Sequence, residues 1–139
     1  MSAYIINALR TPIGSFGGQL ACFRAPELGA KVIKSLTENI NLDLNSYDQV
    51  IMGNVLSAGL GQAPARQAAI NAGIPFSKPA HIVNQVCGSG LRAVISGYQS
   101  IKLGESVNII SGGQENMSIA PHSIFYRNEK KISEDKLLD

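Results

Sequence analysis

The chain has 139 residues, a length that suits one domain of ordinary size. Its apolar fraction of 45% and charged fraction of 16% are typical of a globular protein with a hydrophobic core and exclude a disordered chain. The net charge of +2 is too small, and the basic residues too scattered, to favour binding to nucleic acid or to an anionic membrane surface.

The cysteines and histidines argue against two other kinds of site. Cys22 and Cys87 are too few for a disulfide framework and lack Cys-x-x-Cys spacing. His81 and His122 are isolated, so we expect no metal site; the roles of both histidines and of Cys22 stay open. No apolar stretch reaches transmembrane length and the N-terminus lacks a signal-peptide pattern, which predicts a cytoplasmic protein that does not enter membranes.

The N-terminal third predicts a strand, a loop and a helix. Residues 4–9 form a short apolar segment that predicts a first strand, and the Gly- and Pro-rich residues 10–18 predict an irregular loop. A helix is expected to open at Pro26, since proline suits a first helical position. One face of this helix is predicted to be apolar, because apolar residues recur every four positions: Leu28, Val32, Leu36 and Ile40.

The middle of the chain predicts a buried strand and a second helix. Residues 47–55 contain the apolar run Val-Ile-Met, and the glycines of residues 53–62 predict a flexible loop after it. Pro64 opens a helix over residues 65–72, and Gly73 is suited to terminate it.

Cys87 lies at the junction of a third strand and a third helix. Residues 80–86 predict the strand, Cys-Gly-Ser-Gly follows, and a helix is expected from about residue 89 to residue 103. A thiol at this turn faces backbone N–H groups and the positive end of the helix dipole, which both favour a nucleophilic thiolate. Two alternatives remain: a small buried cysteine without chemistry, and a phosphate-binding turn, although neither nucleotide-binding glycine pattern fits.

The last elements complete an alternating pattern. Residues 107–111 predict a fourth strand and residues 112–118 a third glycine-started loop, whereas residues 127–139 are mostly charged and polar. Alternation of strands and helices predicts a mostly parallel sheet with helices on both faces. In such sheets functional groups gather beyond the carboxyl ends of the strands, where Cys87 and the three loops are predicted to meet.

Small residues follow one flank of the predicted Cys87 helix. They are Gly90, Ala93, Gly97 and Ser100. A smooth flank allows close approach of a second helix, so the helix could be buried on more than one side. The alternative is close packing of this flank on the helix's own sheet.

Four segments together resemble the N-terminal portion of thiolases, the acetyl-CoA C-acyltransferases. The resemblance extends over about residues 4–122, in the family's order and spacing. The segments are residues 10–18 (Arg-Thr-Pro-Ile-Gly, then Phe-Gly-Gly), residues 53–69 (Gly-Asn-Val-Leu, then Gly-Gln-Ala-Pro-Ala-Arg-Gln-Ala-Ala), residues 84–93 (Asn-Gln-Val-Cys-Gly-Ser-Gly-Leu-Arg-Ala) and residues 112–118 (Gly-Gly-Gln-Glu-Asn-Met-Ser).

The resemblance implies a covalent mechanism. Cys87 would attack an acyl-CoA thioester and hold the acyl group, and a second acyl-CoA, deprotonated at its α-carbon, would take that group to form a 3-ketoacyl-CoA. The reverse direction is CoA-dependent cleavage. The backbone N–H of Cys87 would stabilise the oxyanion with help from the helix dipole. CoA thioesters are then substrates, no tightly bound cofactor is implied, and the residues that would bind CoA stay unknown.

The resemblance also implies an incomplete fold and site. Thiolases have five α-β-α-β-α layers, of which residues 1–118 match an incomplete N-terminal half-domain and residues 119–139 the start of a loop domain. The 139 residues lack the family's Gly-His-Pro and late Cys-Gly-Gly-Gly segments, so we expect the chain alone to be inactive. The Cys87 helix would lie against a sister helix of the other half, and residues 80–86 at a dimer interface.

Other interpretations of the sequence remain. Whether the chain is a truncated product, a split subunit or an incomplete record stays open, and its expected partners are a second copy or a complementing C-terminal thiolase portion. A non-catalytic remnant that binds a partner is one rival. Another thiolase-fold condensing enzyme is a second, disfavoured by the Arg-Thr-Pro opening and by residues 112–118. Acyl chain preference and reaction direction stay open.

Overall fold

The computed structural model describes residues 2–124 and 137–138. Three helices and three strands alternate along most of the chain: α1 (Ala25–Ile40), β1 (Gln49–Gly53), α2 (Pro64–Asn71), β2 (Ala80–Val83), α3 (Ser89–Leu103) and β3 (Ile109–Gly113). A short antiparallel pair follows, formed by β4 (Ser123–Ile124) and β5 (Leu137–Leu138). The predicted α/β class is confirmed.

The three longer strands form one parallel sheet in the order β2-β1-β3. Ile51 at the centre of β1 is aligned with His81 on β2 and with Ser111 on β3. Residues 50–53 of β1 are all buried, as expected for the middle strand of a sheet covered on both faces. β2 and β3 therefore form the two edges of the described sheet.

Helices cover both faces of this sheet. Val50 and Met52 point to one face and join a core cluster with Ile33 of α1 and Ala68 of α2. α3 packs on the opposite face, against β1 and β3. The helices α2 and α3 match the predicted ones closely, because Gly73 and Gly104 adopt the left-handed conformation that ends a helix.

The small flank of α3 packs on its own sheet, which is the second of the two alternatives. A Cβ atom added to Gly97 would lie 2.5 Å from Ser111 Oγ, and Ala93 is fully buried. The expectation that this flank meets a sister helix is therefore wrong. The outward face of α3 instead carries large apolar side chains that are exposed, namely Leu91, Ile95 and Tyr98.

Residues 4–9 do not form the predicted strand. Tyr4 is 80% exposed and Ile5 is 81% exposed, and the backbone of this segment is irregular. A strand exists only where its N–H and C=O groups pair with a neighbour, and no described strand lies beside this segment. The segment lies instead across an open groove from β3, and both line that groove.

Two other strand boundaries differ from the prediction. β2 ends at Val83 rather than at residue 86, because its last partner is Gly53, where β1 ends, and the backbone then turns at Val86 with a positive φ of 49°. β3 starts at Ile109 rather than at residue 107, because the Asp48 carboxylate accepts hydrogen bonds from the Val107 and Asn108 N–H groups.

The apolar face predicted for α1 is only partly buried. Leu28 is in the core, but Val32, Leu36 and Ile40 line the open groove beside residues 3–9. The predicted features of residues 127–139 lie outside the described residues, apart from β5. The domain division at residue 118 stays a prediction.

Candidate active site

The loop after β3 binds the loop after β1 through one carboxylate. Glu115 accepts hydrogen bonds from Asn54 Nδ2 at 2.8 Å and from the Val55 N–H at 2.6 Å, and the Leu56 N–H lies at 3.3 Å. Hydrogen bonds to a charged acceptor are stronger than neutral ones. Glu115 therefore fixes residues 54–56 at the carboxyl edge of the sheet.

The same loop also binds the segment that follows residue 16. Asn116 Nδ2 donates to the Leu20 carbonyl at 3.0 Å and to the Phe23 carbonyl at 2.6 Å. The Gly17 N–H donates to Ser118 Oγ at 2.9 Å. The predicted meeting of the three loops is confirmed by these contacts. The sequence did not predict which side chains join them.

The start of α3 is seated directly on the end of β1. A Cβ atom added to Gly53 would lie 2.5 Å from the Gly90 nitrogen and within 2.7 Å of the Ser89 carbonyl oxygen. No real Cβ atom tolerates such distances to backbone, so only glycine allows this approach. The contact places the first turn of α3, and Cys87 just before it, beside the carboxyl end of the central strand.

Cys87 is exposed at the turn between β2 and α3. Gly88 is the N-terminal cap residue of α3, which begins at Ser89. The predicted position of the thiol immediately before the helix is therefore confirmed. The N–H groups of a first helical turn have no partner within the helix and carry partial positive charge.

The residue before Cys87 has an unusual backbone. Val86 has a φ of 49°, and a β-branched residue in the left-handed region is a true outlier. Such a conformation costs on the order of 1–3 kcal/mol and persists only where the surroundings enforce it.

Two side chains enforce the conformation of Val86. Asn84 Oδ1 accepts from the Val86 N–H at 3.0 Å. Ser89 Oγ accepts from the Gln85 N–H at 2.8 Å and donates to the Val86 carbonyl at 2.5 Å. Neither residue was singled out in the sequence, although an Asn two positions before a turn residue is a known turn signal.

The other candidate residues lie elsewhere in the fold. His81 is exposed on β2, and His122 is exposed in the segment before β4. Cys22 is an exposed free thiol whose Sγ donates to the Gln19 carbonyl at 3.7 Å. Within residues 2–124 and 137–138, no three or more His, Cys, Asp or Glu side chains group as metal ligands would. None of the described helices is long and apolar enough to span a membrane.

Comparison with known proteins identifies the family. The model of the thiolase N-terminal domain matches residues 3–139. Acetyl-CoA acetyltransferase of Pseudomonas aeruginosa is 56% identical over 118 residues, which are 85% of this chain and 30% of that protein. The enzymes of the same name from Cupriavidus necator and Paracoccus denitrificans are 49% and 45% identical, over 97% and 99% of this chain and 35% of each relative. The chain thus spans about a third of the length of these relatives, and it belongs to the thiolase family, whose N-terminal domain it matches over residues 3–139.

Proposed function

We propose that this chain is the nucleophile-bearing portion of a thiolase-type acyl-CoA acyltransferase, with Cys87 as the residue that takes up the acyl group. The observation that carries the proposal is the position of Cys87. An exposed thiol directly precedes α3, at the edge of the sheet where three loops converge. Relatives named acetyl-CoA acetyltransferase support CoA thioesters as the substrates.

The chemistry proceeds in two transfers. The Cys87 thiolate attacks the carbonyl carbon of an acyl-CoA, the C–S bond to CoA breaks, and CoA leaves as its thiolate. A base of the complementing thiolase portion then removes the α-proton of a second acyl-CoA, and the resulting carbanion attacks the acyl-cysteine, forms a carbon–carbon bond and releases the Cys87 thiolate. During each step the Cys87 N–H and the α3 dipole stabilise negative charge on the carbonyl oxygen. No tightly bound cofactor takes part.

A complementing C-terminal thiolase portion is the partner that fits this chain. A groove of about 580 Å³ separates residues 3–9 from β3, and α1 and α3 form its other walls. β3 is an edge of the described sheet, and unpaired strand edges accept further strands. The relatives are about three times as long as this chain, and the part of them that it does not match is the source we propose for the covering polypeptide.

A buried hydroxyl in this groove supports the same proposal. Tyr47 is almost fully buried, and its hydroxyl has no hydrogen-bond partner among the described residues. Burial raises the pKa of Tyr47, so its hydroxyl stays a neutral donor. An unsatisfied buried polar group costs about 1–3 kcal/mol, a cost that a covering segment with an acceptor would remove.

Acetylation of the chain by acetyl-CoA tests the proposed function, because this half-reaction needs the fewest groups. We expect mass spectrometry to find an acetyl group on Cys87 and none on Cys22. Cys87→Ser and Cys22→Ser are the matched controls. Absence of acetylation at Cys87, or equal labelling of the two cysteines, would contradict the proposal and favour a non-catalytic partner-binding role.

A further inference from the structure

We propose that Ser89 is a positioning residue that fixes the peptide group between Val86 and Cys87, an inference that rests on the proposed role of Cys87. The Ser89 side chain contacts the backbone on both sides of the strained residue. Its Oγ accepts from the Gln85 N–H at 2.8 Å and donates to the Val86 carbonyl at 2.5 Å. The Ser89 N–H donates to the same carbonyl at 3.0 Å.

The hydroxyl of Ser89, rather than water, determines the conformation of the turn. Ser89 is buried, whereas Val86 and Cys87 are both exposed. Water could satisfy the polar groups of an exposed turn in many conformations, but it would not select the left-handed one at Val86. A buried hydroxyl that bridges Gln85 and Val86 does select it, because both hydrogen bonds are lost when the backbone of Val86 relaxes.

Fixing the Val86 carbonyl also fixes the N–H of Cys87. A peptide group is planar and trans, so its oxygen and its N–H point in opposite directions. Two hydrogen bonds hold the oxygen of this peptide toward α3. The Cys87 N–H is therefore aimed away from Ser89, and it is the donor assigned above to the oxyanion.

The packing of the first turn of α3 on β1 fixes the position of Ser89. Backbone atoms of Ser89 and Gly90 would lie within 2.7 Å of a Cβ atom on Gly53, so the first turn of α3 lies directly on the backbone of β1. Gly113 lies on the same side, with its Cβ position 3.4 Å from the Gly90 Cα. The position of β1 thus determines where Ser89 lies, and Ser89 in turn determines where the Val86–Cys87 peptide group lies.

Alkylation of the thiols in the 139-residue chain tests the inference without requiring acyl transfer. We expect Ser89→Ala to slow the reaction of Cys87 with iodoacetamide at neutral pH on the order of tenfold, because loss of the hydroxyl releases the turn that holds the thiol at the N-terminus of α3, a setting in which thiols are reactive. The rate at Cys22 should not change and serves as the internal reference. Ser89→Thr keeps the hydroxyl and should restore most of the Cys87 rate.

Ser100→Ala is the matched control. Ser100 is another buried serine of α3, and its hydroxyl is bonded to Gln49 and Ser106, far along the helix from Cys87. This variant should lose stability in urea without slowing the alkylation of Cys87. Equal slowing by Ser89→Ala and Ser100→Ala would overturn the inference, as would a Cys87 rate in folded Ser89→Ala that equals that of the unaltered chain.

A second background tests the role of strain. Asparagine adopts the left-handed conformation more readily than valine, so Val86→Asn should hold the turn without the hydroxyl. We expect Ser89→Ala to slow alkylation several-fold less in the Val86→Asn background than alone. An undiminished loss would overturn the inference. The double variant also provides a folded protein for comparison if Ser89→Ala alone unfolds.

Acetylation of the same variants separates this inference from the proposed function. If acetyl-CoA never acetylates Cys87 in the unaltered chain, the acyl-transfer function fails, whereas the alkylation series still decides whether Ser89 positions Cys87. If Cys87 is acetylated equally with and without the Ser89 hydroxyl, the positioning role fails and the function stands.

Discussion

At Gly53 a single missing methyl group decides where α3 can begin. The carboxyl end of β1 touches the backbone of Ser89 and Gly90, and no side chain separates them. Gly112 on the neighbouring strand β3 is different, since a Cβ atom there would meet only Met52 Sδ at 3.9 Å. A Cβ atom therefore fits at Gly112 but not at Gly53, although the two glycines lie on adjacent strands.

This difference gives a matched pair of substitutions. Gly53→Ala forces backbone of β1 and α3 apart, and we expect it to lower the free energy of unfolding by about 1–3 kcal/mol, as overpacking does. Gly112→Ala adds the same methyl group in ordinary van der Waals contact and should change stability by less than about 1 kcal/mol. Urea denaturation followed by circular dichroism measures both. Equal effects would show that the close approach at Gly53 relaxes without cost.

Asp48 provides a pH-dependent contribution to stability. The Val107 N–H donates to its carboxylate, as does the Asn108 N–H, and these bonds hold the pKa of Asp48 below its ordinary value. A lowered pKa in the folded state means that the contribution is complete above the unfolded-state pKa of about 4 and is lost as the pH falls through the folded-state value.

We therefore expect Asp48→Ala to destabilise the chain more at pH 7 than at pH 3, measured as urea midpoints. Asp48→Asn keeps an acceptor oxygen but cannot titrate. We expect it to destabilise the chain less than Asp48→Ala does, and this loss of stability should also decrease as the pH falls. A cost of Asp48→Ala that is the same at both pH values would mean that the charge of the carboxylate does not contribute.

At the scale of elements, Glu115 joins β3 to the loop after β1. Its carboxylate accepts from the backbone of Val55 and from the side chain of Asn54, which are far from it in sequence. Glu115→Gln replaces one acceptor oxygen by an NH₂ group that faces N–H donors. We expect a loss of about 2 kcal/mol in the free energy of unfolding, since hydrogen bonds to charged groups are worth about 1.5–3 kcal/mol.

The control for this substitution is Glu38→Gln, on the exposed surface of α1, which should change stability by less than about 0.5 kcal/mol. Limited proteolysis gives a second measurement, because release of residues 54–62 should speed cleavage there. Cleavage at an unchanged rate in Glu115→Gln would mean that Glu115 does not hold residues 54–56 in place.

Elements with local signals could be predicted from the sequence, and elements that depend on distant partners could not. α2 and α3 follow from Pro64, Gly73 and Gly104, whose conformational preferences act within a few residues. The strand predicted at residues 4–9 fails because its hydrogen bonds need a neighbour that residues 2–124 and 137–138 do not supply. The position of Cys87 was predicted, but Ser89 was not, because a serine in a Gly-rich turn is unremarkable until its two hydrogen bonds are known.

At the scale of the whole molecule, the exposed apolar face of α3 predicts association. Leu91 is 68% exposed, and Ile95 and Tyr98 lie on the same face. We expect sedimentation velocity at micromolar concentration to detect dimers or larger species, and Leu91→Lys to reduce them. Leu103 is 75% exposed near the end of the same helix, so Leu103→Lys is the control. A single monomeric species, or an equal effect of both substitutions, would contradict the prediction.

The purified chain is not expected to cleave acetoacetyl-CoA with free CoA. Claisen chemistry needs a base for the nucleophile and a group that moves the α-proton, and neither family segment that supplies them occurs in the 139 residues. Loss of one member of a catalytic unit typically costs orders of magnitude in rate, whereas acylation of Cys87 alone needs fewer groups. Turnover should appear when a polypeptide that carries the Gly-His-Pro and Cys-Gly-Gly-Gly segments is added, and Cys87→Ala should abolish it. Robust turnover by the chain alone, abolished by the same substitution, would mean that His81, His122 or Cys22 completes the site.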